Sequence, residues 1–177
     1  MDMSKALREA TKVLEENYVI EPPVDVRAIA GNYGIDIKET VFPEKFSRVL
    51  GFITPNKDRE TATMVINEND SEESKLFTIA HELGHWLLHK EEILKDPDKT
   101  VLLRTSLGDE SKDDLEKEAD AFAAELLVPM TFMEKIGKDE SVEEIAKRFG
   151  VSKEVIGYRK KALPDEPAVE QTNPEAQ

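Results

Sequence analysis

Residues 76–90, LFTIAHELGHWLLHK, constrain the fold more than any other stretch of the chain. Their apolar side chains recur at three- and four-residue steps, the period of a helix with one buried face. These apolar residues are Leu76, Ile79, Ala80, Leu83, Leu87 and Leu88. Asp70 or Ser71 precedes them as the predicted N-cap. The stretch therefore predicts a central helix against which the rest of the chain packs.

The segments before this helix predict an α+β fold. Two small helices open the chain, and the second is capped by Asp25 and ends near Gly34. Three β-rich segments follow, at 35–42, 47–55 and 61–69, and they predict a small, mostly antiparallel sheet.

The segments after the central helix predict further helices. The polar residues 91–113 indicate a long connection that contains one β-like fragment, TVLLRT. Residues 113–129, DDLEKEADAFAAELLVP, have helical spacing and end at Pro129. Residues 131–163 are predicted to be entirely helical.

Charge and composition exclude several classes of protein. A chain of 177 residues with a formal net charge of −14 is disfavoured as a binder of nucleic acid or of an anionic membrane. No apolar run approaches the roughly 20 residues of a membrane span, and the first 20 residues lack the apolar core of a signal peptide. We therefore expect a cytoplasmic protein. Because the chain has no cysteine, any metal must be bound by His, Asp or Glu.

The HELGH segment has the spacing of a metal-binding catalytic helix. His81 and His85 are four residues apart, so their Cβ atoms lie on one helix face about 6 Å apart and can share one metal ion. Glu82 lies about 100° further round, where its carboxylate can polarise a metal-bound water. The competing interpretation is an amphipathic helix with surface histidines. His89 follows His81 by eight residues, a rise of about 12 Å along the helix, which is too far for both to bind one ion. We expect His89 to have no role or to support a ligand.

A catalytic zinc site needs a third protein ligand, and the next predicted helix offers candidates. Glu116 and Asp120 lie one turn apart, so one carboxylate can bind the metal while the other accepts a hydrogen bond from a ligand imidazole. Glu118 and Glu125 are expected to be solvated, with Glu118 as the reserve ligand. Gly84 and the alanines Ala119, Ala123 and Ala124 would let the two helices approach closely. Packing alone could also explain these residues, and for the alanines it is the favoured explanation.

The order of these motifs resembles the ImmA/IrrE-type zinc metallopeptidases. The resemblance runs through PPVDVRAIAGNYGI, VINEN, FTIAHELGHWLLH and EKEADAFAAELLVP, and it covers most of residues 22–130. It implies a gluzincin-like enzyme with a zincin-like core and two ligand-bearing helices. It further implies zinc bound by His81, His85 and Glu116, Glu82 as the general base, and Asp120 supporting a ligand histidine.

The same resemblance implies a substrate class. Proteins of this family act as specific proteases that cut a helix-turn-helix (XRE-type) transcriptional repressor and thereby derepress genes of mobile elements or stress responses. Tyr158 and Arg104 are the candidates for stabilising the oxyanion.

Residues 141–163 have the spacing of a helix-turn-helix, with Gly150 at the turn. A DNA-binding role would use Lys153, Arg159, Lys160 and Lys161, but the acidic residues Glu143, Glu144 and Glu154 oppose it. We expect instead a helical subdomain that completes the core and docks the substrate protein. The alternative function is a non-catalytic regulatory module that binds DNA or protein and holds a structural metal.

The predicted domains are a zincin-like metallopeptidase domain at 1–130, a helix-turn-helix-like subdomain at 131–163 and a disordered acidic tail at 164–177. The oligomeric state is not predicted by any feature of the sequence.

Overall fold

The computed structural model describes residues 2–95, 101–103, 107, 109, 111–137 and 139–162. Within these residues the chain forms eight α-helices, four strands and one 3-10 helix. The helices are α1 (Met3–Glu16), α2 (Val26–Asn32), α3 (Glu72–Leu88), α4 (Lys90–Lys95), α5 (Asp114–Leu127), α6 (Met130–Met133), α7 (Val142–Phe149) and α8 (Lys153–Ala162). The strands are β1 (Ile35–Thr40), β2 (Val49–Pro55), β3 (Ala62–Asn67) and β4 (Val101–Leu103), and the 3-10 helix is Glu44–Phe46. The predicted tail at 164–177 and the candidate Arg104 lie outside the described residues.

Side-chain caps fix where helices α3 and α5 begin. Ser71, rather than Asp70, caps α3 by accepting a hydrogen bond from the backbone N–H of Ser74 at 3.3 Å. Asp113 caps α5 by accepting one from the backbone N–H of Glu116 at 2.9 Å. Each cap satisfies a backbone donor that would otherwise lack a partner at a helix start. The cap on α5 places Glu116 in the first turn of that helix.

The four strands form one mixed sheet in the order β1-β3-β2-β4. Strand β2 pairs antiparallel with β3 and with β4, whereas β1 pairs parallel with β3. Parallel strands need a crossover connection between them, and here the chain passes through β2 on its way from β1 to β3. Strands β1 and β2 therefore lie on opposite sides of β3. The α+β class and the small sheet are therefore confirmed, with one parallel pairing within the predicted, mostly antiparallel arrangement.

Helix α3 lies between the sheet and α5, which confirms the predicted central helix. A methyl group on Gly51 of β2 would lie 2.7 Å from the Thr78 side chain of α3. A methyl group on Gly84 of α3 would lie 2.9 Å from the Phe122 ring of α5. Both glycines therefore stand where two elements approach too closely for a larger residue. Helix α1 covers the other side of α5 with its buried residues Ala6, Ala10, Val13 and Leu14.

Two predictions about the connections are wrong in detail. The predicted long connection at 91–113 begins within helix α4, because Ile93 packs into the core. The segment 131–163 is not one continuous run of helix, since α6 ends at Met133 and α7 begins only at Val142. Gly150 ends α7 in the left-handed conformation with a φ of 67°, which places a turn where the sequence predicts one.

Among the described residues, no helix is both long and apolar enough to cross a membrane.

Candidate metal site

Helices α3 and α5 bring His81, His85 and Glu116 together at one point. The Nε2 atoms of His81 and His85 lie 3.0 Å apart. The Glu116 carboxylate lies 3.3 Å from the first of these nitrogens and 3.0 Å from the second. All three histidines of the chain are buried, so the interpretation of His81 and His85 as surface residues is wrong.

The three donor atoms fit a metal ion. A tetrahedral site with bonds of about 2.0–2.1 Å separates its ligand atoms by about 3.3 Å. The observed separations of 3.0 to 3.3 Å are close to this value, although Glu116 approaches the two imidazoles with different oxygens. One ligand atom from each of the three residues lies within 4.8 Å of the other two. Among the described residues, His81, His85 and Glu116 are the one group of His, Asp and Glu side chains close enough together to hold a metal ion. Imidazole and carboxylate donors suit a divalent cation.

His81 is oriented by Asp120, one turn after Glu116 on α5. The Nδ1 atom of His81 lies 3.0 Å from Asp120 Oδ1. The second oxygen of Asp120 accepts a hydrogen bond of 2.7 Å from the Nζ of Lys112, which is itself 8 % exposed. With its Nδ1 atom directed at Asp120, the ring turns its Nε2 atom toward Glu116 and His85. Lys112 was not predicted, because it belongs to the polar stretch before α5 and carries no periodic signal.

His85 is supported by a second histidine. Its Nδ1 atom lies 3.2 Å from the Nδ1 of His89, and the Nε2 of His89 lies 2.9 Å from Glu118 Oε2. The prediction that Glu118 is solvated is wrong, since α1 covers it and the backbone N–H of Asp2 donates to its other oxygen. Glu118, the reserve ligand, faces His89 rather than the three converging donors. His89 is the C-cap of α3.

Glu82 is fully buried beside the converging donors. Neither of its carboxylate oxygens has a hydrogen bond of normal geometry among the described residues. Burial raises the pKa of Glu82 to about 8, although the charge of His81 and the backbone of Ile53 act in the opposite direction. A buried carboxylate whose burial outweighs the groups that favour its charged form is unfavourable for stability and is typical of a functional site.

The neighbouring groups have strongly shifted pKa values in the polypeptide alone. Burial lowers the pKa of His81, but Asp120 and Glu116 outweigh it and raise that pKa to about 10. Burial also lowers the pKa of His85, to about 4, and here the carboxylate of Glu116 does not compensate. The pKa of Glu116 lies well below its usual range, because the two imidazoles outweigh its own burial. The polypeptide thus places an anionic carboxylate and a neutral imidazole side by side.

One further prediction fails near the C-terminal helices. Glu125, predicted to be solvated, is buried and pairs with Arg159. Arg159, which the disfavoured DNA-binding interpretation used as a contact, is itself only 2 % exposed. The Nε of Arg159 also donates to the Val128 carbonyl at 3.1 Å. Tyr158 is half-buried, and burial together with the charge of Asp120 raises its pKa. Its role as an oxyanion stabiliser stays a prediction.

Comparison with known proteins places this geometry in context. A family model described as "IrrE N-terminal-like domain" (Peptidase_M78) matches residues 30–161. No curated protein matches the chain. A solved structure of a Mycobacterium tuberculosis transcriptional regulator has a similar fold, with a TM-score of 0.57 and 14 % sequence identity. The similarity covers 93 % of this chain and 48 % of that one, so the chain spans about half of that protein's length.

Proposed function

Because the chain belongs to the Peptidase_M78 family of IrrE N-terminal-like domains, we propose that it is a zinc-dependent endopeptidase with a zincin-like core. The observation that carries this proposal is the convergence of three donors beside a buried carboxylate whose oxygens make no hydrogen bond of normal geometry with the described residues. The family match at residues 30–161 includes all of these residues. The metal ligands are His81, His85 and Glu116, and Glu82 is the catalytic base.

Zinc is the cofactor that this donor set suits best. Catalytic zinc sites use two histidines and one carboxylate and keep a further position open to water. When bound, zinc polarises the water and the scissile peptide carbonyl.

Glu82 moves the proton in the reaction. Its carboxylate takes a proton from the water whose oxygen bonds to the carbonyl carbon, and later delivers that proton to the leaving amine nitrogen as the C–N bond breaks. A pKa near 8 in the polypeptide alone suits a residue that must hold and release a proton near neutral pH. Asp120 and Lys112 keep the His81 ring fixed while this happens.

The proposed substrate is a helix-turn-helix transcriptional repressor of the XRE type, whose cleavage derepresses genes of mobile elements or stress responses. The family membership and the resemblance of the motifs support this class, and the fold neighbour carries the name of a transcriptional regulator. In this proposal residues 1–130 form the peptidase domain, and residues 131–163 form a helix-turn-helix-like subdomain that docks the repressor. Both proteins then meet in the cytoplasm.

The alternative is a non-catalytic regulatory module with a structural metal. A structural metal site does not require a buried carboxylate beside its ligands, yet Glu82 occupies that position. Arg159 of α8 points into the core, where it pairs with Glu125, and so does not face a partner. Binding of DNA is further opposed by the ion pair of Lys153 with Glu143 and by the net charge of −14. We therefore favour the peptidase.

The first test uses purified zinc-loaded protein and a helix-turn-helix repressor encoded beside it. We expect the native protein to cut the repressor and Glu82→Gln to bind zinc and the repressor without cutting, with a rate loss of at least a hundredfold, on the scale of a lost general base. Glu73→Gln, at an exposed position in the first turn of α3, is the matched control and should cut normally. Equal cutting by Glu82→Gln would contradict the assignment of the base.

A further inference from the structure

A line of hydrogen bonds runs from the candidate ligand His85 to the first residues of α1. It passes from His85 to His89 at 3.2 Å and from His89 to Glu118 at 2.9 Å. It ends at the backbone N–H of Asp2, which donates to the second oxygen of Glu118. The rings of His85 and His89 and the side chain of Glu118 are almost completely buried. We refer to His85, His89 and Glu118 as the relay.

The acceptors around the relay favour one arrangement of its protons. Both oxygens of Glu118 act as acceptors, so the Nε2 of His89 must be the donor toward it. A His89 ring with a single proton then has a lone pair at Nδ1. In this arrangement the Nδ1 of His85 lies against that lone pair and donates to it. The lone pair of His85 is then left at Nε2, which lies 3.0 Å from His81 Nε2 and 3.0 Å from Glu116 Oε1. His81 can donate to this lone pair, whereas the Glu116 carboxylate competes with His89 for the proton of His85.

The position of His89 in α3 makes this contact possible. Its backbone N–H bonds to the carbonyl of His85 at 2.8 Å, so it stands one turn after His85 and at the end of the helix. At one turn it is too far from His81 to share a metal with it, yet within hydrogen-bond reach of His85.

We propose that His89 and Glu118 are positioning residues that hold His85 in the tautomer whose Nε2 lone pair faces the other two donors. The effect of this tautomer on metal binding rests on the proposed function, whereas the tautomer itself is a property of the polypeptide. The two ligand histidines then have unequal supports. His81 contacts a carboxylate of α5 directly, and His85 reaches one through a second ring.

The tautomer is measured by nitrogen NMR of the histidine rings in metal-free protein. Only three histidines need to be assigned. We expect His85 to carry its proton at Nδ1 in the native protein. His89→Asn keeps an acceptor oxygen where Nδ1 stands and should preserve that tautomer. His89→Phe removes the acceptor, and His85 should then show a mixture of both tautomers.

Zinc affinity gives a second readout, measured with Zn²⁺ alone against a chromophoric chelator. Supporting residues of metal ligands typically change affinity by about 10–100-fold. We expect a weakening in that range for His89→Phe and of less than about threefold for His89→Asn. Glu118→Leu is measured in parallel and tests the same relay if His89→Phe does not fold. Glu118→Gln keeps an acceptor for His89 and is its matched control.

Two results would overturn the inference. One is a native spectrum in which His85 carries its proton at Nε2 or His89 carries two protons. The other is a folded His89→Phe or Glu118→Leu protein with native zinc affinity and native ring signals. Failure of the native chain to take up zinc contradicts the proposed function instead, and leaves the measured tautomer of His85 to decide the relay.

Discussion

Glu82 lies in an environment that disfavours the charged form of its carboxylate. Its folded pKa is raised from 4.5 to about 8 by burial. The folded protein therefore binds this proton more tightly than the unfolded chain, and the associated stability is complete below pH 4.5 and lost as the pH rises through 8. Burying Glu82 thus destabilises the metal-free fold at neutral pH, where folding requires uptake of a proton, and above pH 8, where the buried carboxylate is charged.

This destabilisation predicts that Glu82→Gln stabilises the metal-free protein in a pH-dependent way. The variant should match the native protein near pH 4.5 and exceed its free energy of unfolding by a few kcal/mol at pH 8. Urea unfolding in the presence of a chelator, at several pH values between these limits, measures the difference. A difference that stays constant across this range would show that Glu82 is not titrating there.

At the residue scale, spacing alone identified the groups that the structure brings together at the site. The positions of His81, His85, Glu116 and Asp120 follow from helix periodicity within two segments. The partners that join distant segments could not be found this way, among them Lys112 with Asp120 and Asp2 with Glu118. The prediction of solvated glutamates failed because it assumed one buried face. Helix α5 is in fact covered on several sides, by α1, α3 and α8, from Glu118 to Leu127.

At the scale of elements, the contact of α3 with α5 sets the distance between the histidines and Glu116. Gly84→Ala would place a methyl group 2.9 Å from the Phe122 ring and force the helices apart. We expect a loss of about 2 kcal/mol in the free energy of unfolding, together with weaker zinc binding.

Gly31→Ala is the matched control, because nothing lies within 4 Å of the added methyl group in α2. Replacing this glycine in the last turn of α2 by alanine should raise stability by about 0.5–1 kcal/mol. Chemical unfolding of both variants measures the contrast. Equal effects of the two substitutions would contradict a close helix contact at Gly84.

Helix α8 is held to the end of α5 by the buried pair of Arg159 with Glu125. Glu125 also accepts a hydrogen bond from the backbone N–H of Met130 at 3.2 Å. Arg159→Met leaves that carboxylate buried without its cation, and we expect a loss of about 3 kcal/mol. Lys160→Met, at the exposed neighbouring position, should change stability by less than about 0.5 kcal/mol.

Hydrogen exchange of the α8 amides distinguishes local from global effects of Arg159→Met. Selectively faster exchange in α8 would indicate that the pair anchors this helix to α5. Unchanged stability and exchange would contradict an anchoring role.

The sheet illustrates what local patterns can and cannot predict about elements. The hairpin of β2 and β3 is encoded locally, since Asp58 accepts hydrogen bonds from the backbone of Glu60 and Thr61 in the turn. The parallel pairing of β1 with β3 is not encoded locally, because an alternating strand pattern does not specify which neighbour it joins. It depends on β2 already occupying the other side of β3.

At the scale of the whole molecule, a metal bound between α3 and α5 would tie the two layers together. A ligand that binds only the folded state at a hundred times its Kd stabilises by about 2.7 kcal/mol. For a domain of this size we expect a chelator to lower Tm by about 5–10 °C. Calorimetry and elemental analysis with and without chelator measure the effect and the zinc content.

His81→Ala and Glu116→Ala serve as controls for this prediction, since both should lack zinc and show no response to the chelator. If zinc is lost with His81→Ala but retained with Glu116→Ala, another carboxylate provides the third ligand. A native protein that neither contains zinc nor takes it up would contradict the metal assignment as a whole.

The packing of α1 on α5 affects when α1 can fold during synthesis of the chain. The bond from Asp2 to Glu118 joins positions 116 residues apart. At a synthesis rate of roughly 5–20 residues per second, α1 leaves the ribosome roughly 6–23 s before its partner helix exists. A helix forms within about a microsecond, so α1 can form long before α5 has been synthesised. During that interval the face of α1 that packs on α5 lacks this partner. The nascent chain thus exposes this apolar face until α5 has been made.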